Sequence, residues 1–318
     1  MLQYSILTTA SEKDYELLDS GDGEKLERYG GVIVARPDPQ ALWPKSLSKE
    51  EWSKVTAVFT RESKNAGWEF KKKIPERWQI AFGGLKFWIK PTSFKHTGLF
   101  PEQSSNWKWI QEIITKAVVA TPPNLLANWR VRGGDTDLPL TKKGQGGVSV
   151  LNLFGYTGGA TLAAAQAGAE VCHVDGSKSA VTWGRENAEI SGLKDKPIRW
   201  IIDDATVFVK REIKRGRKYD GIIMDPPAFG HGPTGEMWKI EDNFLPFIEL
   251  CEQILTDKPL FFLINGYASG YSAIAYANNL ERLMKKFGGS IEMGELTIQE
   301  SKSKRLLPAG IFARWSSK

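Results

Sequence analysis

The chain has 318 residues, of which 41% are apolar and 25% charged, with 31 Gly and 16 Pro. That composition excludes collagen-like, coiled-coil and wholly disordered chains, and the length allows two domains or one large domain with an extension. Apolar runs are no longer than Leu260–Ile264, whereas a membrane span needs ~20 residues, and the first residues lack the basic and apolar regions of a secretory signal, so a cytosolic protein is expected. Two distant cysteines, Cys172 and Cys251, exclude a disulfide framework, and His96, His173 and His231 stand too far apart for metal-ligand spacing, so no metal is expected. The net charge of +6 is gathered in three windows: 61–77 carries +3, 210–218 carries +5 and 300–318 carries +4. Such segregation suits a phosphate-binding face, although each run alone also suits a solvated helix face or loop.

Up to residue 95 the pattern is of short strands, YGGVIVAR (29–36) and LKFWIK (85–90), between turn-rich pieces such as DSGDG (19–23) and RPDP (36–39). This predicts a small β-rich domain over 1–95. Eight of the twelve tryptophans fall in the first 130 residues. They could stack on unpaired bases, but in a domain with little interior they serve better as packing. Helical periodicity runs from Asn106 to Ala120 and stops at Thr121-Pro122-Pro123, giving a connecting segment over 96–125. After a Gly-rich loop at 133–147, apolar runs alternate with helical stretches through the unit 126–318. The strands are VSVLNLF (148–154), AEVCHV (169–174), IRWII (198–202), YDGIIM (219–224) and PLFFLI (259–264), with Gly168 and Gly192 at helix ends. The prediction is an α/β fold with a mostly parallel sheet covered on both faces, whose ligands bind beyond the carboxyl ends of the strands.

Those strand ends carry the candidate residues. Phe154-Gly155-Tyr156-Thr157-Gly158-Gly159 follows the first strand, and its glycines permit a tight turn into a helix N-terminus that can receive a negative group. Asp175, then Gly176 and Ser177, follow the second strand. A carboxylate there can accept from both ribose hydroxyls, while Ser177 can cap the next helix. Asp203-Asp204-Ala205 follow the third, where an acid can accept the adenine amine or only cap a helix. Asp225-Pro226-Pro227-Ala228-Phe229 follow the fourth. Two prolines fix the backbone direction, so Asp225 can be held towards the reactive end of a cofactor and a flat acceptor can pack on the loop or on Phe229, although Pro-Pro alone also serves merely to terminate a strand.

With LNLFGYTGG (151–159), HVDGS (173–177), Asn187, DDA (203–205) and MDPPAF (224–229), the chain resembles the class I S-adenosylmethionine-dependent methyltransferases, and more narrowly the bacterial branch that methylates cytosine C5 of large-subunit ribosomal RNA. The resemblance implies a Rossmann-like, seven-stranded sheet, with HTGLFPEQ (96–103) closing over the cofactor through Phe100 and Gln103. It further implies that Asn152 to Gly158 face the methionine half, Asp175 the ribose and Asp204 the adenine, and that RNA is the substrate. Asn152 stands where the wider family has an acid. Cytosine-C5 chemistry needs a thiolate, which the branch carries in Ser-Cys-Ser-Gly after the fifth strand; here the residues are Tyr267-Ala268-Ser269-Gly270. An aromatic directly after the second proline, as in amine methyltransferases, is also missing, since Ala228 stands there. Two rival readings are a nicotinamide-dependent oxidoreductase, whose GxGxxG is absent here, and a nucleic-acid-binding protein that keeps the cofactor fold without catalysis.

Overall fold

The computed structural model describes residues 2–60, 67–93, 95–120, 147–232, 235–267 and 270–317. The proline stop at 121–123, residues 133–146 of the Gly-rich loop, Ala268 and residues 61–66 of the first basic window lie outside the described residues.

Strand β1 (Leu2–Thr9) is followed by a unit of short strands: β2 (Tyr15–Gly21), β3 (Glu24–Tyr29), β4 (Val32–Pro37), the single helical turn α1 (Lys49–Trp52), β5 (Ala57–Thr60) and β6 (Gly67–Phe70). Strands β2 to β6 form one sheet in sequence order. A second hairpin, β7 (Trp78–Phe82) and β8 (Leu85–Ile89), turns on Gly83-Gly84. Both glycines have positive φ, 59° and 75°, as a two-residue hairpin turn matching strand twist requires. The tryptophans here pack rather than point outward: the indole N–H groups of Trp43, Trp52, Trp68 and Trp78 each donate to a protein oxygen.

Inside the unit the Glu27 carboxylate accepts from Tyr15 and Tyr29 at 2.9 and 3.1 Å and pairs with Arg36. Burial alone would raise the Glu27 pKa, but Arg36 and Lys25 hold it at about 2. Arg36 also donates to the Lys95 carbonyl at 3.0 Å, so this ion pair fastens the β unit to the segment leading into the predicted cofactor cover. Glu27→Ala leaves the guanidinium buried and uncompensated. The expected cost is about 3–5 kcal/mol, measured as a lower urea midpoint.

A 3-10 turn at Pro101–Gln103 leads into helix α2 (Ser104–Val119), slightly earlier than the predicted 106–120. The large unit then alternates: β9 (Ser149–Leu153), α3 (Gly159–Gln166), β10 (Glu170–Asp175), α4 (Lys178–Ile190), β11 (Ile198–Ile202), α5 (Ala205–Lys214), β12 (Gly221–Met224), the hairpin β13 (Phe229–His231) and β14 (Met237–Lys239), α6 (Ile240–Gln253), β15 (Phe261–Gly266), α7 (Ala273–Phe287), β16 (Ser290–Gln299) and β17 (Leu306–Ser316). Central strands such as β9, β12 and β15 are apolar along nearly their whole length because helices cover both faces. Gly168 and Gly192 end α3 and α4 in the left-handed region, as expected.

The sheet order is β1-β16-β17-β15-β12-β9-β10-β11, parallel except for β17. The seven expected strands are present, and β1 adds an eighth at the edge, running parallel to β16 from Leu2↔Ile291 to Thr9↔Ile298. Chain position alone groups β1 with the small β unit. Its true partner lies at the other end of the sequence, where local periodicity gives no sign of it.

Candidate active site

Strand order reverses between β9 and β12, and a cleft opens there at the carboxyl ends, the place where open α/β sheets bind ligands. It is lined by Phe87, Leu99, Phe100, Gln103, Trp107, Asn152, Phe154 to Ala160, Ile223, Asp225 and Asn265. Of the predicted residues it unites Phe100, Gln103, Asn152, Phe154, Gly155, Tyr156, Thr157, Gly158 and Asp225.

The turn after β9 is held in an unusual shape. Phe154, Tyr156 and Gly158 all have positive φ, 56°, 50° and 89°, and for the two aromatic residues this costs of order 1–3 kcal/mol each. Surrounding contacts offset that cost. The Phe154 ring packs on Trp238 at 5.2 Å and Tyr156 on Phe100 at 5.4 Å, and the Gly155 amide donates to Val174. Gly155 is obligatory for a different reason: a Cβ there would lie 2.4 Å from the His173 ring. His173 is buried, and desolvation pushes its pKa down to about 3. Asn152 donates to the Thr161 hydroxyl at 2.8 Å, and the same hydroxyl is hydrogen-bonded to His173 Nδ1 at 2.9 Å. The buried imidazole is thus a neutral prop beneath the turn. Asn187 ties the turn to the hairpin above it, donating to Thr157 O at 3.0 Å and accepting from Trp88 N at 2.8 Å. Thr157 donates in turn to Gly98 O at 2.7 Å, which fixes the segment 96–103 over the cleft.

Helix α3 starts without a side-chain cap, and Gly159 and Ala160 line the cleft. Its first N–H groups are therefore offered to an anionic ligand group. Beside them lies an amide cluster of which the sequence reading named only Gln103, missing Asn106 and Asn265. Arg314, a donor only, gives a hydrogen bond to Asn106 Oδ1 at 3.2 Å. Asn106 Nδ2 must then face the other way, donating to Asn265 Oδ1 at 2.8 Å and Gln103 Oε1 at 3.2 Å. With their oxygens engaged, Asn265 and Gln103 keep NH₂ groups for a ligand carboxylate. Asn265 escaped notice because β15 runs two residues past the predicted end at Ile264 and carries no acid.

Asp175 accepts one backbone N–H on each oxygen, from Tyr156 and from Ser177, both at 2.8 Å. Each oxygen retains a lone-pair site, the arrangement needed to receive two vicinal hydroxyls. Desolvation raises the Asp175 pKa. Gly176 is exposed, and Ser177 caps α4 through Ala180 N. Asp204 Oδ1 caps α5 through Val207 N at 2.8 Å, and Ala205 is the buried first residue of that helix. One Asp204 oxygen is therefore committed to the helix. These residues flank the cleft on the next two strand ends rather than lining it.

Asp225 keeps accessible surface at the cleft mouth, yet the protein around it desolvates the carboxyl and pushes its pKa up to about 6. Water at that open surface restrains the rise, and any ligand covering it enlarges the effect. Tyr276, also missed, is a buried phenol raised to about 12 by desolvation and by the charge of Asp225. Pro226 is buried, and Pro227 is anchored by the Trp238 indole, which donates to its carbonyl at 2.6 Å. Phe229 opens β13 with its ring 55% exposed, edge-on to His231 at 5.2 Å, so it faces outward beside the cleft.

Two basic windows are not free to meet a ligand in the cleft. The run 210–218 lies at the end of the sheet opposite the cleft, since α5 leads away from Asp204 and β12 leads back. Within it Arg211 pairs with Asp203, Arg215 with Glu212, and Lys218 donates to Gln253 O. In 300–318, Lys302 pairs with Glu51, Arg305 donates to Pro44 O and Ser46, and Arg314 pairs with Glu292. The expectation that the basic runs form a phosphate-binding face is therefore corrected for 210–218, while in 300–318 these partners take up the charge of Lys302, Arg305 and Arg314. Among the described residues no three His, Cys, Asp or Glu side chains are grouped to hold a metal, and no helix is long and apolar enough to cross a membrane.

No protein-family model matches the chain. A solved structure, the SAM-dependent methyltransferase from Agrobacterium tumefaciens, superposes with a TM-score of 0.85 at 36% identity, covering 99% of this chain and 94% of that one. The chain belongs to the S-adenosylmethionine-dependent methyltransferases. It is also similar to ribosomal RNA large subunit methyltransferase K of Neisseria meningitidis serogroup B, at 24% identity over 260 residues, 78% of this chain and 64% of the relative. A shorter stretch of 81 residues, 25% of this chain, is 41% identical to ribosomal RNA large subunit methyltransferase I of Aeromonas salmonicida, of which it covers 20%. The chain thus spans less than two thirds of these curated relatives.

The cleft residues fit the family's cofactor. The uncapped α3 N-terminus and the two amide NH₂ groups could receive its amino-acid half, and the two open sites on Asp175 could receive its ribose. Glycine at 155 and 158 lets the backbone come close.

Proposed function

We propose that this methyltransferase modifies a base of RNA, ribosomal RNA in the narrower reading, at a ring or exocyclic nitrogen, and that it acts in the cytoplasm. The observation that carries the chemistry is Asp225, a carboxylate with raised pKa on a loop braced by Pro226, Pro227 and Trp238 at the mouth of the cleft. When bound, the cofactor supplies an electrophilic methyl carbon on its sulfonium. Asp225 would accept a hydrogen bond or proton from the acceptor nitrogen, and the loop would hold a flat base in line.

Cytosine-C5 chemistry through a relocated thiol is disfavoured by the cysteines themselves. Cys172 is buried in β10 with its thiol pushed up to about 12 by desolvation, and Cys251 is buried in α6 with its thiol raised well above the usual range. A buried protonated thiol is inert. The double variant Cys172→Ser, Cys251→Ser is expected to keep transferase activity after correction for folded fraction, whereas loss of a true nucleophile costs several orders of magnitude. An adduct with RNA carrying 5-fluorocytosine, abolished by either change, would reverse that conclusion.

Similarity to relatives named for ribosomal RNA supports the substrate class. Transfer of tritium from labelled S-adenosylmethionine to total RNA, followed by mass mapping of the modified nucleoside, tests the whole reading. Cofactor binding without transfer to any RNA would favour the non-catalytic alternative.

A further inference from the structure

The β unit carries a groove of about 360 Å³, separate from the cofactor cleft, whose walls include Phe70, Lys72, Lys73, Lys90, Pro91 and Glu76. Phe70 ends strand β6 with 52% of its surface exposed, an unusual position for a large aromatic side chain. None of the three lysines makes a side-chain ion pair among the described residues, whereas the neighbouring Lys71 and Arg77 pair with Glu69 and Glu186. The groove therefore presents three uncompensated cations against one carboxylate beside an open aromatic face. Lys72 and Lys73 belong to the 61–77 basic window and, unlike Arg211, Arg215, Lys302 and Arg314 of the other two windows, make no ion pair among the described residues.

The groove is joined to the active site along the chain. Lys90 and Pro91 begin the segment that continues to Phe100 and Gln103, and the Trp68 indole secures its start by donating to Thr92 O at 2.7 Å. Farther along, the Lys95 ammonium lies 5.7 Å from the centre of the Tyr267 ring, just past the carboxyl end of β15. Lys95 thus places one more cation between the groove and the cleft in chain order, and its ammonium also donates to Pro37 O at 3.3 Å.

We infer that the groove formed by Phe70, Lys72, Lys73 and Lys90 binds single-stranded RNA flanking the methylated base, with a nucleobase against Phe70 and phosphates against the lysines. The inference rests on RNA being the substrate. Spaced cations beside an open aromatic face match a phosphate–sugar–base repeat, which supplies negative charge and a π-face together.

The test uses the full chain and a short fluorescein-labelled single-stranded RNA, with anisotropy read over a range of salt concentrations. Calorimetry with S-adenosylhomocysteine confirms that each variant is folded. Replacing Lys72, Lys73 and Lys90 together by Gln should lower the slope of log K against log salt by about 2, at ~0.7 per phosphate contact. Phe70→Ala should weaken binding about tenfold at an unchanged slope. Unchanged affinity and slope in both variants, with the parent binding RNA, would overturn the groove assignment and leave the substrate reading intact. A parent that binds no RNA would overturn that reading and the groove with it. If the triple variant lost polyglutamate and RNA alike while Phe70→Ala changed nothing, the groove would be an acidic-protein site, and the RNA assignment would fall.

Discussion

Asp225→Asn should lower the rate of methyl transfer by about 10²–10⁴, the range for a positioned general base, while binding of S-adenosylhomocysteine changes little. In the parent enzyme the rate should rise with pH through a midpoint near 6, following the raised pKa of Asp225, and that limb should vanish in the variant. Stability should move the other way. Because desolvation raises the carboxyl above its ordinary 3.8, the folded state holds this proton more tightly than the unfolded chain. The stabilisation is fully present below 3.8 and is lost as pH rises through about 6. Water at the exposed Asp225 carboxyl screens this effect, so Asp225→Asn should melt at or only slightly above the parent at pH 8 and no higher at pH 4. A variant that loses activity and melting temperature together at pH 8 would instead give Asp225 a structural role.

The second large effect is expected at Asp175. Hydrogen bonds to a charged group contribute ~1.5–3 kcal/mol, so Asp175→Ala should weaken cofactor binding at least tenfold by calorimetry. The side chain also holds the backbone of Tyr156 and Ser177, and Tyr156 needs that support at its positive φ. Asp175→Asn separates the two contributions, since its one remaining acceptor can keep Tyr156 in place while the charge is lost. Unchanged affinity in both variants would remove Asp175 from the ribose.

How much of this was legible in the sequence depended on whether the cause was local. The strand-end motifs were readable because each follows its strand within a few residues, and chain alternation alone places those ends side by side. The glycines at 155 and 158 were readable as a turn, but the reason for Gly155 was not, since it lies in the ring of His173 on the neighbouring strand. Asn265, Asn106 and Tyr276 come from three elements with no shared motif. Only packing orients the amides, through a hydrogen bond from Arg314 some 208 positions away from Asn106. Charge runs misled for the same reason: composition counts the cations in 210–218 but shows neither the end of the sheet on which they lie nor the pairing of Arg211 with Asp203.

Strand β1 bears on how the molecule reaches this state. Tyr4 donates to Glu295 across the β1–β16 edge, 291 positions away, so during synthesis the first strand emerges long before its neighbour exists. The β unit and the segment over the cleft sit in a loop that closes only when that edge zips. Such non-local pairing delays folding, and until it forms, the alternating apolar side chains Leu2, Tyr4 and Ile6, still about half exposed in the finished sheet, offer other chains a strand to join. Refolding yield should therefore fall with protein concentration, and a charged residue in place of Ile6 should restore it.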